Sequence, residues 1–404
     1  MNGTAGSSAA RTDREDMNTT RTTPLPVVLA GARGHGRSHL LNIRRLEERG
    51  LVRLAGVCEL RPLDAGELDG IGEPEQSADL EALLASTRAR IVVLSTPIQT
   101  HADMALAAAR HGAHILLEKP PAPSFAEFRR MADGVGAAGV ACQIGFQSLG
   151  SHAVPAIRRM IEEGAIGELL GVGAAGAWVR DEAYFRRAPW AGHRRLGGVD
   201  VVDGALTNPL AHAVATALAL SGSTRAEDVE HIETELLRAH AIESDDTSGV
   251  RVVTSAGTHV TVAATLCAEK ASEPYVIVHG SQGRITFWYR QDRVLVQRAG
   301  HGPVETEYGR TDLLENLVSH VTDGEPLWVP PAATGAFMRV VEAVRTAPDP
   351  REIPASHWHT EPGENAPRRV VDGIDALVDA SADGLRLFSE LGAPWAPSTR
   401  AEAR

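Results

Sequence analysis

Only Lys119 and Lys270 are lysines among 40 basic residues. Lys119 stands in Glu118-Lys119-Pro120, directly behind the apolar run His114–Leu117. An ammonium is a compact donor whose pKa falls on burial, so it can pass a proton or polarise a carbonyl. A second chemical feature is the turn Gly31-Ala-Arg33-Gly34-His35-Gly36. Gly31 and Gly36 fit the outer positions of G-x-G-x-x-G, with Arg33 in place of the middle glycine. In that pattern the first glycine permits a tight turn and the last permits close helix–strand packing. A diphosphate then meets unpaired amides at a helix N-terminus. Arg33 either crowds that approach or folds over the phosphates.

Glu59 ends the next apolar run. A carboxylate there accepts hydrogen bonds from ribose hydroxyls and repels a 2′-phosphate, which favours NAD over NADP. Arg61, two residues on, would instead pair with that phosphate. Thr96-Pro97 ends a third run, and His101 follows at a helix start as either a cofactor contact or a packing residue. Both sit where open parallel sheets bind ligands.

The elements that position these groups follow from periodicity. Apolar runs at 26–31, 52–59, 90–96, 114–118 and 140–146 read as buried parallel strands. Helical patterns alternate with them at 38–48, around Leu80–Leu84, at 101–110 and from a Ser124 cap to about 138. Such alternation predicts a doubly wound parallel sheet. Beyond residue 150 the pattern changes. A helix at 154–163 precedes strands at 169–177, 229–240, 250–255, 259–264, 275–279, 284–289 and 293–296. Short turns separate most of them, so antiparallel pairing is expected. Helices follow at 313–321, 333–345 and about 370–391. The expected fold is α/β: an N-terminal Rossmann domain over 24–148, then an α+β domain over 149–404 with a large open, mostly antiparallel sheet. Residues 1–23 read as a disordered leader.

Composition narrows the classes. The chain has 404 residues, 43% apolar and 23% charged, with a net charge of −12. An acidic balance disfavours a nucleic-acid partner, and 4% aromatics do not suggest a base-stacking platform. No run approaches the roughly 20 apolar residues of a membrane span. The leader lacks an apolar signal core. Cys58, Cys142 and Cys267 lie too far apart for a CxxC pair, and reduced cytoplasmic thiols are expected. His357-Trp-His359 offers no third ligand, so no metal is expected.

GARGHGRSH after a strand, STPIQTHADMALAAARHGAHILLEKPPAPS and QIGFQ together resemble the Gfo/Idh/MocA family, whose names are glucose-fructose oxidoreductase, inositol dehydrogenase and rhizopine catabolism. The resemblance is strong over 25–150 and weaker to about 355. It implies binding of NAD, with NADP possible, and hydride transfer at a secondary alcohol or ketone of a sugar, amino sugar or cyclitol. It implies assembly as a homodimer or homotetramer. It places a histidine opposite the E-K-P lysine, which here falls on His212. The aspartate of the same motif falls on Asp203 or Asn208; the first is expected nearer His212. The lysine must turn into the cleft before Pro120, and X–Pro bonds allow cis at about 0.5–1 kcal/mol, so a cis Lys119–Pro120 bond is expected. Alcohol oxidation needs a proton acceptor and a donor for developing negative charge, which this set supplies. Substrate contacts are expected from Gln147, Tyr184, Trp190, Arg195 and Asn208, with His193 and Arg194 in the same loop. Two rivals are a ligand- and cofactor-sensing protein without turnover, and an enzyme using NAD transiently for glycoside cleavage or isomerisation.

Overall fold

The computed structural model describes residues 23–396, together with Met1. The expected leader lies almost wholly outside the described residues. In the first half β1 (Leu25–Ala30), β2 (Val52–Cys58), β3 (Glu75–Ser77), β4 (Ile91–Leu94), β5 (His114–Leu117) and β6 (Cys142–Ile144) alternate with helices α1 (Gly36–Glu48), α2 (Leu80–Thr87), α3 (His101–Arg110) and α4 (Phe125–Ala137). All pairs are parallel, in the order β3-β2-β1-β4-β5-β6. The sequence sets this arrangement directly. Val27–Ala30 and Ile91–Leu94 are fully buried, as strands covered on both faces require. Leu40, Ile43 and Leu46 face the sheet from α1. Ser124 caps α4 by accepting the Glu127 amide at 3.2 Å. β3 has too little apolar patterning to be read from sequence.

The second half opens with α5 (Ala153–Glu162) and β7 (Leu169–Ala177). A small hairpin, β8 (Arg195–Leu196) and β9 (Val199–Asp200), and the buried helix α6 (Ala211–Ser221) follow. Then come β10 (Val229–Arg238), β11 (Thr247–Thr254), β12 (His259–Thr265), β13 (Tyr275–Gly280), β14 (Gly283–Trp288), β15 (Arg293–Arg298) and β16 (Val304–Glu307). The chain ends through α7 (Leu313–Asp323), α8 (Gly335–Thr346), β17 (Arg351–Glu352), β18 (Trp358–Glu361), β19 (Arg368–Val371) and α9 (Ile374–Gly384). Nine strands form one mixed sheet, β16-β15-β14-β13-β7-β12-β11-β10-β17. Only β7–β12 and β10–β17 are parallel.

Three details add to the expectation, and the first departs from it. The last helix is shorter than 370–391. Val370 and Val371 pair with His359 and Trp358 in a hairpin, because their branched side chains pack inward in extended backbone. Gly373, at φ +71°, then starts α9. Second, α9 lies on the middle of the large sheet, so that region is covered. A Cβ on Gly173 would come within 1.9 Å of the Ala382 carbonyl, which requires glycine there. Third, α7 packs on β5 and β6 of the first sheet. Buried Gln143 fixes the junction: its amide contacts the Asn316 oxygen at 2.5 Å and accepts the Val329 amide at 2.8 Å. The chain therefore recrosses the division expected at 148/149. Among the described residues, the cysteines are free and buried, and no helix is long and apolar enough to cross a membrane.

Candidate active site

The carboxyl ends of β1, β4 and β5 open into a cleft of about 910 Å³, closed on its far side by the second half of the chain. Arg33, Gly34, His35, Thr96, Pro97, His101, Glu118 and Lys119 line its first wall. Gln147, Tyr184, Trp190, Asp203, Asn208 and His212 line the rest.

The glycine turn has the geometry a diphosphate requires. A Cβ on Gly36 would come within 1.8 Å of the Gly31 carbonyl, and one on Gly31 within 2.4 Å of the Ser95 carbonyl. Gly34, at φ +58°, faces open space. Among the described residues the amides of Gly34 and His35 have no protein partner, and both residues border the cleft. Those amides fit an anion. Glu59 accepts the Ala32 amide at 2.6 Å and the Arg33 amide at 3.2 Å. Arg33 does not fold over the turn. Its guanidinium runs along the 59–67 segment, donating to Glu67 at 2.8 Å, to the Arg61 carbonyl at 2.8 Å and to Glu59 at 3.5 Å. Arg61 is exposed and does not line the cleft.

Beside the turn, Glu118 is 4% exposed. It accepts from His39 at 2.9 Å and from Gln147 at 3.2 Å, and it pairs with His35 at 3.3 Å. These partners outweigh burial and hold its carboxyl well below the usual range. The same contact raises His35. His101 is a bracing residue: its ring nitrogens lie 2.8 Å from the Thr96 and Pro120 carbonyls. Burial lowers its pKa.

The Lys119–Pro120 bond is cis. The Lys119 ammonium crosses to the second half, donating to the Asn208 backbone oxygen at 2.9 Å and to its side-chain oxygen at 2.8 Å. Asn208 Nδ2 in turn donates to Asp203 at 2.6 Å. Asp203 also accepts the Gly192 amide at 2.7 Å and Arg187 at 3.2 Å. Burial lowers the Lys119 pKa, opposed by Glu118 and Asp203.

The expected Asp203–His212 contact is absent among these hydrogen bonds. His212 Nδ1 lies 3.2 Å from Ser148 Oγ, which accepts from Thr216 at 2.9 Å. Neither Asp203 nor Asn208 takes the histidine, because Lys119, Gly192 and Arg187 hold both. Phe146 meets the ring edge to face at 5.5 Å. Burial, then the Lys119 charge, pushes the imidazole down to about 3. His212 is therefore neutral at pH 7.

Arg195 does not reach this cleft. It pairs with Asp200 at 3.0 Å and lines a separate cavity of about 620 Å³ with Arg194. The β8–β9 hairpin turns its side chain outward. Arg194 donates to the Val344 and Ala347 carbonyls at the end of α8, and exposed His193 pairs with Glu243. His359, in its hairpin, meets Asp372 and Glu361. Sequence reading missed Ser148, Trp178, Arg187, Tyr289, Arg290 and Arg310, all of which line the cleft. Arg187 had one available signal, its place in the same polar and aromatic loop as Tyr184 and Trp190.

Comparisons with known proteins agree with this architecture. Residues 25–146 match the family described as "Oxidoreductase family, NAD-binding Rossmann fold". Residues 154–286 match the "GFO/IDH/MocA C-terminal domain". Levoglucosan dehydrogenase of Pseudarthrobacter phenanthrenivorans is 29% identical over 41% of this chain and 42% of its own. Thus the match spans less than half of that relative's length. dTDP-3,4-didehydro-2,6-dideoxy-alpha-D-glucose 3-reductase of Streptomyces violaceoruber is 26% identical over 66% of this chain and 70% of its own. In fold, the WlbA dehydrogenase from Bordetella pertussis, solved with NADH and UDP-GlcNAcA, superposes with a TM-score of 0.66 at 20% identity, covering 80% of this chain and 95% of that one. With both halves matched, the chain belongs to the Gfo/Idh/MocA family of oxidoreductases.

Proposed function

We propose that the protein moves a hydride between NAD(H) and a secondary alcohol or ketone of a sugar, amino sugar or cyclitol. The observation that carries this reading is the meeting of Lys119, from the end of β5, with Asn208, Asp203 and His212 from the other half in one cleft. The relatives named above, a levoglucosan dehydrogenase and a deoxysugar reductase, support the substrate class.

The bound nicotinamide supplies the hydride acceptor or donor. The chain supplies the rest. The amides of Gly34 and His35 face the diphosphate, Glu59 takes the adenosine ribose, and Thr96 and Pro97 border the path between. Lys119 is the proton-transfer group. Its depressed pKa lets the amine accept the alcohol proton in oxidation, and the ammonium return it in reduction. Asn208 aims Lys119, and Asp203 anchors Asn208. His212 acts as a neutral hydrogen-bonding group rather than a strong base, because an imidazole that titrates near 3 takes a proton poorly at pH 7. Gln147, Tyr184 and Trp190 border the substrate.

A cofactor-fluorescence screen of the purified protein against neutral and anionic polyols tests the activity. NAD reduction with at least one member is expected. A cofactor that stays bound and is never released would favour transient use of NAD, and absence of any turnover would favour the sensor. For the cofactor, Glu59 and Glu67 together oppose a 2′-phosphate, so NAD is preferred over NADP. Glu59→Gln should shrink the ratio of the two affinities by about tenfold, the worth of one charged contact. Calorimetry showing NADP preferred by the unaltered protein would sink this assignment.

The division at 148/149 rests on the change of strand and helix pattern, a cytoplasmic location on the free buried cysteines, and a homodimeric or homotetrameric state on the family pattern. Sedimentation checks the last.

A further inference from the structure

His212 and Thr216 stand at positions i and i+4 of α6, so both side chains leave the same face of that helix. Ser148, in the turn behind β6, meets them both. Thr216 donates to Ser148 Oγ at 2.9 Å, and Ser148 Oγ lies 3.2 Å from His212 Nδ1. Ser148 is 2% exposed and Thr216 is fully buried. Phe146, edge to face at 5.5 Å, backs the imidazole.

Two hydroxyl protons set the direction of this relay. Each hydroxyl has one proton to give, and a buried one needs an acceptor. Among the described residues, neither hydroxyl has another partner. With Thr216 donating to Ser148 and Ser148 donating to Nδ1, both protons are used. With a hydrogen on Nδ1 instead, either the Ser148 or the Thr216 proton is left buried without an acceptor, which is costly. The ring is neutral at pH 7, as burial and the Lys119 charge require. Its single N–H therefore sits on Nε2. Among the described residues Nε2 has no protein partner, yet it is not sealed from solvent. His212 lines the cleft, so this N–H is available to a substrate.

We propose that Ser148, backed by Thr216, holds His212 as its Nε2–H tautomer, and that His212 donates this hydrogen bond to the reacting oxygen of the substrate without taking its proton. The inference rests on the proposed oxidoreductase site and goes beyond it by making Ser148 and Thr216 positioning residues. In oxidation the carbon gives its hydride to the nicotinamide, and the hydroxyl gives its proton to Lys119. His212 keeps its own proton throughout. A fixed neutral donor at that oxygen stabilises the negative charge that develops there.

Nitrogen-15 NMR of the histidine-labelled, NADH-loaded protein reads the tautomer at pH 7. The His212 signals are identified by their loss in His212→Gln. A proton on Nε2 and none on Nδ1 is expected. A proton on Nδ1, or one shared by exchange between the two nitrogens, overturns the inference. Ser148→Ala should shift the Nδ1 resonance, because its hydrogen bond is lost, and should lower kcat about tenfold with KM nearly constant. Thr216→Val should shift the same resonance in the same direction by less, and Thr216→Ser should restore it. NADH affinity, unchanged in each, reports an intact fold. An Nδ1 resonance indifferent to Ser148→Ala removes Ser148 from the role. Kinetics test the donor itself. A glutamine amide donates a hydrogen bond but is no base at neutral pH. His212→Gln should keep turnover within about tenfold, while His212→Ala loses about 10²–10³-fold, the worth of one donor to a developing oxyanion. Equal losses in the two would make His212 a base and overturn the donor role. An Nε2–H tautomer in a protein that turns over no polyol would count against the oxidoreductase reading and leave the part of Ser148 standing.

Discussion

On the first-domain wall, the lining residues belong to short turns that follow β1, β4 and β5. On the second-domain wall they are scattered between Ser148 and Arg310. Charge is answered on both. Arg33 meets Glu59 and Glu67, and Glu118 meets His35 and His39. Across the cleft, Arg187 meets Asp203, Arg290 meets Glu273 and Arg310 meets Asp292. The difference fits a common cofactor on one side and a particular substrate on the other. A diphosphate is held mainly by backbone amides, whereas a distinguishing substrate group needs side chains.

Lys119 is where the two walls touch, and its removal should have the largest effect. Lys119→Ala is expected to lower turnover by about 10²–10⁴-fold, the range of a lost general acid–base group. NAD(H) affinity should stay near that of the unaltered protein. Single-turnover kinetics and calorimetry separate the two quantities. Retained turnover would remove Lys119 from the chemical step, and a collapse in cofactor affinity would place it on the first wall alone.

His212 should show a smaller effect, in stability. Its folded pKa, about 3, lies below the ordinary 6.5. The unfolded chain therefore takes the proton first as pH falls. Stability tied to the neutral ring is fully present above pH 6.5 and is lost progressively towards pH 3. Between pH 7.5 and 5 this amounts to about 2 kcal/mol. His212→Gln should lack that share of the slope in urea titrations at the two pH values. An unchanged slope would mean that the imidazole titrates alike in the folded and unfolded chain.

Legibility followed the same division between walls. Strand, glycine turn, helix and carboxylate lie within about 30 residues in any βαβ unit. Local patterning was thus enough to set Gly31, Glu59 and Thr96 at or beyond the ends of parallel strands. The cis bond before Pro120 was expected from the family resemblance, and the bond is cis. His212 faces the cleft, but its hydrogen-bonding partner was misassigned. Ser148 is 64 residues away in sequence, and a serine at a strand end has no periodic signature. Arg195 was grouped with Tyr184 and Trp190 by proximity along the chain, yet a two-residue hairpin strand reverses which side faces the cleft. The Arg290 guanidinium lies 5.8 Å from the Trp178 ring centroid, a contact made only when β7 and the turn beyond β14 come together.

Asn208 offers the sharpest test of how the second wall controls the first, with the smallest expected effect. Its side-chain oxygen accepts from Lys119 at 2.8 Å while its amide nitrogen donates to Asp203 at 2.6 Å. An amide in that position transmits orientation without adding charge. Asn208→Asp keeps the size but places a carboxylate directly on the ammonium. It also opposes the Asp203 carboxylate, so the new pair shares its negative charge with both Lys119 and Arg187. An opposite charge in contact favours the ammonium, and one to three pKa units is the usual range. Lys119 is already held down by burial. Its pKa in the variant should therefore rise by about one unit. In the oxidation direction Lys119 must lose its proton before it can accept another, so the alkaline-rising limb of the kcat/KM profile should move upward in pH by the same amount. Turnover at neutral pH should fall about tenfold and recover at higher pH. A depressed rate at every pH would show that Asn208 sets geometry alone. A limb that does not move would mean that a group other than Lys119 titrates in the profile.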